Sequence, residues 1–337
     1  MNQERKFRYR SLFWPILLIG VGMLWLLANL EIIPRDGWLV LLRFWPVLLI
    51  GIGLDIMIGR QSALIGGAIG VGVVALALVL VVAGPKLGLT PEADVTTDVL
   101  AEPLGSTETA RIELDLSVGS TDIAALEDST NLLEAEITHL GELDYSVGGE
   151  ANKTIRLSER EHTFGFDWID IFDDVDLRWE VYLAPGVPLD ININGGVGEA
   201  RLDFRQLDIT KLDIDSGVGD MTVFLPATGS SYEIDVDVGV GRVELRLEEG
   251  IDAVLKIDGG VGDMVVVVPK GVGVRFEGDI GVGNLNVPSS FDRLRYDDDN
   301  FLGESGTWES ANYDDAAHRV TIDFDGGVGD FSIREAN

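Results

Sequence analysis

The motif that decides the fold is clearest at residues 212–225, which read LDIDSGVGDMTVFL. Apolar and polar residues alternate on both sides of a central Gly-Val-Gly. Alternation with a period of two is typical of a strand that buries one face. Glycine adopts backbone conformations that β-branched residues resist, so we expect the chain to bend at the glycines. The segment therefore predicts a strand, a glycine corner and a second strand.

The motif recurs along the chain at intervals of 21 or 22 residues up to a final interval of 46 residues. Its central valines are Val197, Val218, Val240, Val261, Val282 and Val328, and Ser117-Val118-Gly119-Ser120 is a weaker copy. The last interval indicates either two coils or one coil with an insertion at about 289–318. Because one unit cannot bury its apolar face alone, we expect the units to stack. The sequence predicts an all-β C-terminal domain, a single-stranded β-solenoid (β-helix) with coils of about 21 residues, over residues 109–337.

Aligning the motifs on their valines predicts columns of like residues. Two columns are apolar and should form the core: they contain Ile193, Ile214, Val236, Ile257, Ile280 and Phe324, and Leu202, Val223, Leu245, Val266, Leu285 and Ile333. Three columns should face outward and are mostly acidic: they contain Asn194, Asp215, Asp237, Asp258, Asp279 and Asp325; Asn192, Asp213, Asp235, Lys256, Glu277 and Asp323; and Glu199, Asp220, Arg242, Asp263, Asn284 and Asp330. Stacked coils bring like residues to about 4.8 Å, where like charges destabilise a sheet.

Two interpretations of the acidic columns are open. They are a solvated face that keeps the domain soluble, or they bind a divalent cation or a basic ligand. For the second interpretation, the candidate Ca²⁺ ligands are Asp215, Asp237, Asp258 and Asp279 in the columns and Asp297, Asp298 and Asp299 in the insertion. No other cofactor is predicted. The calcium-binding β-roll repeat does not fit, because its period is nine residues and its aspartate comes one position later.

No catalytic residues are predicted, and we expect the protein not to be an enzyme. The three histidines, His139, His162 and His318, form no helical metal pair, and there is no nucleophile elbow. The glycines do not follow the nucleotide-binding pattern that opens a helix after a strand. With no cysteine in the chain, thiolate chemistry and disulfides are excluded.

Charge divides the chain into two parts. Residues 1–89 contain 8 basic and 4 acidic residues, whereas residues 90–337 contain 17 basic and 53 acidic residues. An acidic surface of this kind repels phosphate backbones, so nucleic acid is not an expected partner.

The N-terminal part predicts a membrane region at residues 12–84, preceded by a basic tail at 1–11 and followed by a linker at 85–108. Three apolar stretches, at about 12–30, 38–59 and 63–83, are close to the ~20 residues needed to span a bilayer. The second stretch contains Arg43 and Asp55, which are costly in hydrocarbon. The segment FWPILLIGVG at 13–22 recurs as FWPVLLIGIG at 44–53, which predicts a helical hairpin. Gly66 and Gly70 form a small-xxx-small pair that could seat one helix on another, within one chain or in a homo-oligomer.

The distribution of basic residues predicts the orientation. Arg5, Lys6, Arg8 and Arg10 precede the first stretch, and Arg60 lies between the second and third. Only Arg35 and Lys86 lie on the other side. With three spans, this arrangement predicts a multi-pass protein of the bacterial cytoplasmic membrane, with its C-terminal domain outside the cytoplasm.

The duplicated Phe-Trp-Pro-(Ile/Val)-Leu-Leu-Ile-Gly segment resembles the N-terminal transmembrane region of LiaI/LiaF-type proteins. The Gly-Val-Gly strands, preceded by WEVYLAPGVP at 179–188, resemble the toast-rack or adhesin-like β-solenoid domain of the same proteins. The resemblance implies a role in the bacterial cell-envelope stress response, because the family includes a negative regulator of a two-component system that responds to cell-wall antibiotics. It implies the lipid bilayer and a membrane sensor kinase or other envelope proteins as partners, and it brings no catalytic residues. A surface adhesin or structural protein of the envelope is the alternative.

Overall fold

The computed structural model describes residues 12–30, 44–59, 62–84, 87, 95–160, 176–297 and 303–336. The chain divides into two compact units. The helical unit comprises residues 1–94 with 163–175, and the β unit comprises residues 95–162 with 176–337.

The helical unit contains three helices in its described part. Helix α1 is Phe13–Asn29, α2 is Trp45–Met57 and α3 is Ala63–Ala83. A proline in the first turn of α2 fits a helix start, because the N–H that it lacks has no helical partner there. The side chain of Ser62 caps α3 by accepting a hydrogen bond of 3.3 Å from the backbone N–H of Leu64.

Of the three spans expected from sequence, one has full length within the described residues. Helix α3 has 21 residues and a mean hydropathy of 2.7 over its apolar window, whereas α1 and α2 have 17 and 13 residues. The expected second span, 38–59, is therefore represented by a helix that is short for a bilayer, and residues 31–43 lie outside the described part. Asp55 of α2, a group costly in hydrocarbon, is 1% exposed inside the unit.

Glycines let α1 and α3 pack closely. A methyl group added at Gly70 would lie 3.2 Å from the carbonyl oxygen of Phe13, and one added at Gly20 would overlap the side chain of Val74. Gly66 and Gly70 are both buried in α3, as the small-xxx-small spacing indicated.

The β unit contains sixteen strands in its described part. They are β1 (Thr96–Pro103), β2 (Thr109–Asp115), β3 (Ser120–Ala125), β4 (Asn131–His139), β5 (Glu142–Gly148), β6 (Asn152–Arg160), β7 (Arg178–Leu183), β8 (Pro188–Asn194), β9 (Ala200–Asp203), β10 (Asp208–Leu225), β11 (Tyr232–Leu247), β12 (Ala253–Val268), β13 (Gly273–Asn286), β14 (Phe291–Asp297), β15 (Glu304–Ser310) and β16 (Arg319–Glu335). The predicted linker at 85–108 is too long, because β1 begins at Thr96 and pairs with β4 along its whole length.

Eight parallel rungs form the stack in the described residues, each built from one long strand or from two shorter strands; residues 161–175, between β6 and β7, lie outside the described part. Along the stack the rungs are β6 with β7, β2 with β3, β8 with β9, β10, β11, β12, β16 and β13. The corner valines are in register from rung to rung, and Val118 of the weaker copy pairs with Val197. The predicted solenoid is therefore confirmed, and its sheet is not closed.

The rungs do not follow chain order at either end of the stack. Strands β2 and β3 lie between the later rungs β6–β7 and β8–β9. Strand β16 lies between β12 and β13, both of which precede it in the chain. The 46-residue interval thus contains an insertion and one rung, β16. In the stack, β16 lies before β13, although β13 precedes it in sequence.

Antiparallel strands cover both ends of the stack. At one end β5 pairs with β6, while β4 pairs with β7 and β1 with β4. At the other end β15 pairs with β13, and β14 pairs with β15. The insertion at 289–318 therefore contributes β14 and β15 as a cap on this end of the stack.

The core of the β unit is one continuous cluster of buried aliphatic and aromatic side chains. The predicted apolar columns hold from Ile193 to Ile257 and from Leu202 to Val266. They fail at β13, where Ile280 pairs with Gly326 instead of Phe324, and Leu285 pairs with Phe331 instead of Ile333. Gly278 is the partner of Phe324 in the register, but the ring of Phe276 and the side chain of Leu285 fill the space beside Gly278, and the ring of Phe324 occupies the space beside Gly326.

A stack of aromatic rings joins β16, β13 and the cap. The ring centroids of Phe324 and Phe331 are 4.3 Å apart, those of Phe331 and Phe276 4.8 Å, and those of Phe276 and Trp308 5.3 Å. All four side chains are buried. Ring contacts therefore hold the out-of-order rung β16 against β13 and, through Phe276, against the cap.

Candidate interaction surface

The corners of the rungs bring one acidic column into a continuous row. Asp215, Asp237 and Asp258 are direct partners on β10, β11 and β12. Asp325 of β16 follows Asp258, and Asp279 of β13 follows Asp325. We call Asp215, Asp237, Asp258, Asp325 and Asp279 the aspartate row. The sequence identified its members, but not that Asp325 lies between Asp258 and Asp279.

Charges within the aspartate row repel each other. Burial, followed by the neighbouring carboxylates of Asp258, Asp235 and Asp215, raises the pKa of Asp237 above its ordinary value. In the part of the chain that the structure describes, no ion pair links Asp215, Asp237 or Asp258 to a basic side chain. Asp215, Asp237 and Asp258 thus form a line of negative charge with no basic partner among the described residues.

The other two acidic columns carry partners of their own. In the second column, the amine of Lys211 lies 2.7 Å from Asp213, and Lys256 pairs with Glu233. The side-chain hydrogen bond to Glu233 raises the pKa of Lys256, and the same bond lowers the pKa of Glu233. In the third column, the guanidinium of Arg242 lies 3.4 Å from Asp263, and the amide of Asn284 donates to Asp330 at 2.8 Å. Both columns remain acidic, but Asp213, Asp263 and Asp330 in them have side-chain partners.

A row of apolar side chains runs parallel to the aspartate row, three residues away along each strand. Its members are the corner valines Val197, Val218, Val240, Val261, Val328 and Val282, which are 50%, 48%, 48%, 50%, 47% and 42% exposed in stack order. We call these six residues the valine row. In the sequence these valines only marked the corners. An exposed apolar row could have been predicted, because a valine recurs at every corner while the other solvent-facing positions are mostly polar.

Glycines on both sides hold each corner close to the next. The glycine after each valine has a φ between 142° and 151°, a region that side chains rarely adopt. A Cβ at Gly241 would lie 1.8 Å from the carbonyl oxygen of Gly219 in the next rung. A Cβ at Gly217, before Val218, would lie 2.2 Å from the carbonyl oxygen of Gly196. The backbone itself is therefore the surface between the valine row and the aspartate row.

A groove of about 550 Å³ opens to solvent along this backbone surface. It is lined by the first four aspartates of the row and by the residues between them and the valines, among them Gly239, Gly260 and Gly327. One wall of the groove carries negative charge, and its floor is bare main chain. A groove of this kind can bind a cationic group. Its titratable side chains are four aspartates in similar surroundings, which do not form a pair of general acid and general base.

The candidate calcium ligands do not form a closed coordination site in the described residues. Among these, no group of three or more acidic or histidine side chains has the arrangement of a metal site. Asp279 is separated from Asp258 by Asp325. Asp297 ends β14, and Asp298 and Asp299 lie outside the described residues. Calcium binding stays a prediction.

The described histidines fix strands to one another. His139 is 3% exposed; its Nδ1 lies 2.9 Å from the carbonyl oxygen of Gly141 and its Nε2 lies 3.0 Å from Asp98 of β1. His318 Nδ1 lies 2.8 Å from Asp252. His162 lies outside the described residues.

Comparisons with known proteins agree with this organisation. Residues 12–57 match the LiaI-LiaF-like transmembrane region, and residues 90–246 match the N-terminal domain of toast_rack, DUF2154. No curated protein matches the chain.

Solved structures are similar to the β unit at low identity. A candidate cell adhesion protein from Clostridium sporogenes is 20% identical, with a TM-score of 0.49, over 72% of this chain and 100% of its own. A candidate adhesin from Bacteroides fragilis is 14% identical, with a TM-score of 0.35, over 72% of this chain and 98% of its own. No functional argument rests on these two similarities. In this chain, a region similar to the LiaI-LiaF-like transmembrane region is thus followed by a region similar to the toast-rack domain.

Proposed function

We propose that this protein is a non-enzymatic, multi-pass regulator of the bacterial cell-envelope stress response, with its β unit outside the cytoplasm. The observation that carries the proposal is the presence, in one chain, of a LiaI-LiaF-like transmembrane region and a toast-rack domain. In this role the helices contact a membrane partner such as a sensor kinase. The β unit, with its continuous core, is a separate compact unit.

The helical unit has the surface that a membrane partner requires. Large apolar side chains point outward on all three helices, for example Ile19 at 71%, Met57 at 74% and Leu64 at 80% exposed. An exposed apolar surface of this extent requires lipid or another protein. The small residues that join α1 and α3 show that close helix packing is already used within the chain.

Replacing residues 12–84 by an unrelated transmembrane anchor tests the proposal. In cells treated with a cell-wall antibiotic, we expect the exchange to abolish the effect of the protein on a stress-response reporter, although the β unit is still displayed. The matched control keeps residues 12–84 apart from exchanges of exposed apolar residues for others of similar size, such as Ile19→Leu, and should keep the effect on the reporter. A reporter response that survives the anchor exchange would contradict regulation through the helices.

An envelope adhesin is the second candidate, and the exposed valine row favours it because it offers a contact surface on the β unit itself. Cell-surface binding to a target should then survive the anchor exchange. The same exchanged protein therefore separates the two functions: a regulator loses its signal, and an adhesin keeps its binding.

A further inference from the structure

We infer that the valine row is a docking surface for a basic amphipathic α-helix, whose apolar side chains lie on the valines and whose basic side chains reach the aspartate row. The inference concerns the β unit alone and does not depend on the proposed role in signalling.

The valine row is exposed to solvent along its whole length. Six valines in register, each 42–50% exposed, form an unbroken apolar line across six rungs. Isolated surface valines are ordinary, but a contiguous apolar line bordered by charge is typical of an interaction site. The core does not require valine here, because the side chains point to solvent. The corner geometry requires only the flanking glycines.

Charge selects the partner. The aspartate row borders the valine row, and burial together with the neighbouring carboxylates raises the pKa of Asp237. Basic side chains placed over the row would remove the repulsion among these carboxylates. A second copy of this β unit would bring another line of carboxylates to the same place and is disfavoured for that reason.

The spacing of the valines favours a helical partner over an extended one. The valine row runs perpendicular to the strands, with about 4.8 Å between rungs and hence about 24 Å over six rungs. A helix of about 16 residues has that length, and its pitch of about 5.4 Å is near the rung spacing, so that it lays about four apolar side chains, one per turn, along the six valines. An extended peptide repeats its like-facing residues about every 6.6 Å and drifts out of step within a few rungs. The bare glycine backbone beside the valines leaves room for a helix to approach.

The test measures binding of a fluorescent leucine/lysine peptide of about 18 residues, with leucines on one helical face, to the full chain in uncharged detergent micelles. An isomer with the same composition, but with leucines on all faces, is the control peptide. We expect saturable binding of the first peptide and at least about tenfold weaker binding of the isomer.

The decisive variant is V218T/V240T/V261T, which keeps β-branched residues at exposed positions and replaces one methyl group of each by a hydroxyl. We expect it to weaken binding about tenfold. The matched control is V99T/V147T/V254T, three exposed valines away from the row, which should bind like the original chain. Background binding to micelles is the same for both variants.

A second variant, D215N/D237N/D258N, keeps the inference testable if the valine variant does not fold. It should also weaken binding about tenfold and reduce the salt dependence. Equal weakening by both valine variants, equal binding of the isomer, or no saturation at about 100 µM peptide would overturn the inference. It would also be overturned if sedimentation showed the original chain as a dimer and V218T/V240T/V261T as a monomer, since a second copy would then occupy the row.

Discussion

Glycine stands on both sides of the valine at the repeated corners of the β unit, and each position is restricted for its own reason. The glycine after the valine has a positive φ, and both glycines lie against the carbonyl oxygens of the neighbouring rung. A side chain at either position meets main chain, which cannot move without shifting the next rung.

The substitution Gly241→Ala is therefore expected to destabilise the β unit by more than about 3 kcal/mol, because it combines an unfavourable φ with a Cβ that would lie 1.8 Å from a carbonyl oxygen. Chemical denaturation of the full chain measures the free energy of unfolding. Gly148→Ala is the control, since a Cβ there meets nothing within 4 Å. Similar losses in both variants would show that helix or strand propensity, and not the close approach of rungs, controls stability.

Asp237 is the residue at which repulsion in the aspartate row becomes measurable. Its pKa is raised in the folded protein, so the folded state binds the proton more tightly than the unfolded state does. The charged carboxylate therefore lowers stability at neutral pH, and this loss disappears as the pH falls through the raised pKa towards the ordinary value.

We expect Asp237→Asn to raise the melting temperature at neutral pH, by an amount equivalent to about 0.5 kcal/mol, and to have no effect in acid. Differential scanning calorimetry at several pH values follows the difference. Asp292→Asn, on an exposed position of β14, serves as the reference and should change little. A lower melting temperature for Asp237→Asn at neutral pH would mean that the carboxylate is stabilised by a partner.

At the scale of elements, the cap and the out-of-order rung form one structural unit. Trp308 of β15 packs on Phe276 of β13, which packs on Phe331 of β16. These side chains are 3%, 0% and 0% exposed. The cap thus closes the end of the core and also fixes the strand that carries the last corner valine in the stack.

Truncating the ring in Trp308→Ala should cost about 3–5 kcal/mol, because a buried aromatic side chain leaves a cavity at the end of the stack. Hydrogen exchange should show the largest loss of protection in β13, β14 and β15, and the smallest in β10 and β11. Leu294→Ala, at a side chain 59% exposed on β14, is the comparison variant. Uniform loss of protection across all rungs would show that the stack unfolds as a single cooperative unit.

At the scale of the whole molecule, the topology is open to a direct measurement because the chain contains no cysteine. A single cysteine at the exposed Ser290 of the β unit can be labelled with a membrane-impermeant maleimide. If the β unit is outside the cytoplasm, intact spheroplasts should label fully. A cysteine at Asn2 is the control and should label only after lysis. The reverse pattern would contradict the proposed orientation.

The sequence predicted the solenoid because the motif repeats at a fixed interval, and that interval sets the register of every corner. It also identified the residues of the aspartate row, since equal offsets from the valines place them on one face. The order of the rungs could not be predicted, because β13 and β16 carry the same corner motif and either one fits beside β12 by pattern alone. Ring packing decides between them: Phe276 of β13 fills the space beside Gly278 and stacks on Phe331 of β16.

The valine row was missed for a different reason. Alternation assigns each residue to the core or to solvent, and the corner interrupts the alternation, so the exposure of Val240 follows only from the backbone geometry of its glycines. The strand β1 was assigned to the linker because its exposed and half-buried positions carry too few apolar residues to mark a core face.

The placement of β16 between two earlier strands affects how the stack can form during synthesis of the chain. While a ribosome is still making residues 319–335, β12 has an open edge and β13 has no parallel neighbour. The stack therefore cannot be completed strand by strand as the chain is made. A chain that stops early leaves main-chain hydrogen-bonding groups of β12 and β13 uncovered, where a protease can engage them. The last strand made is thus the one that joins two strands made before it.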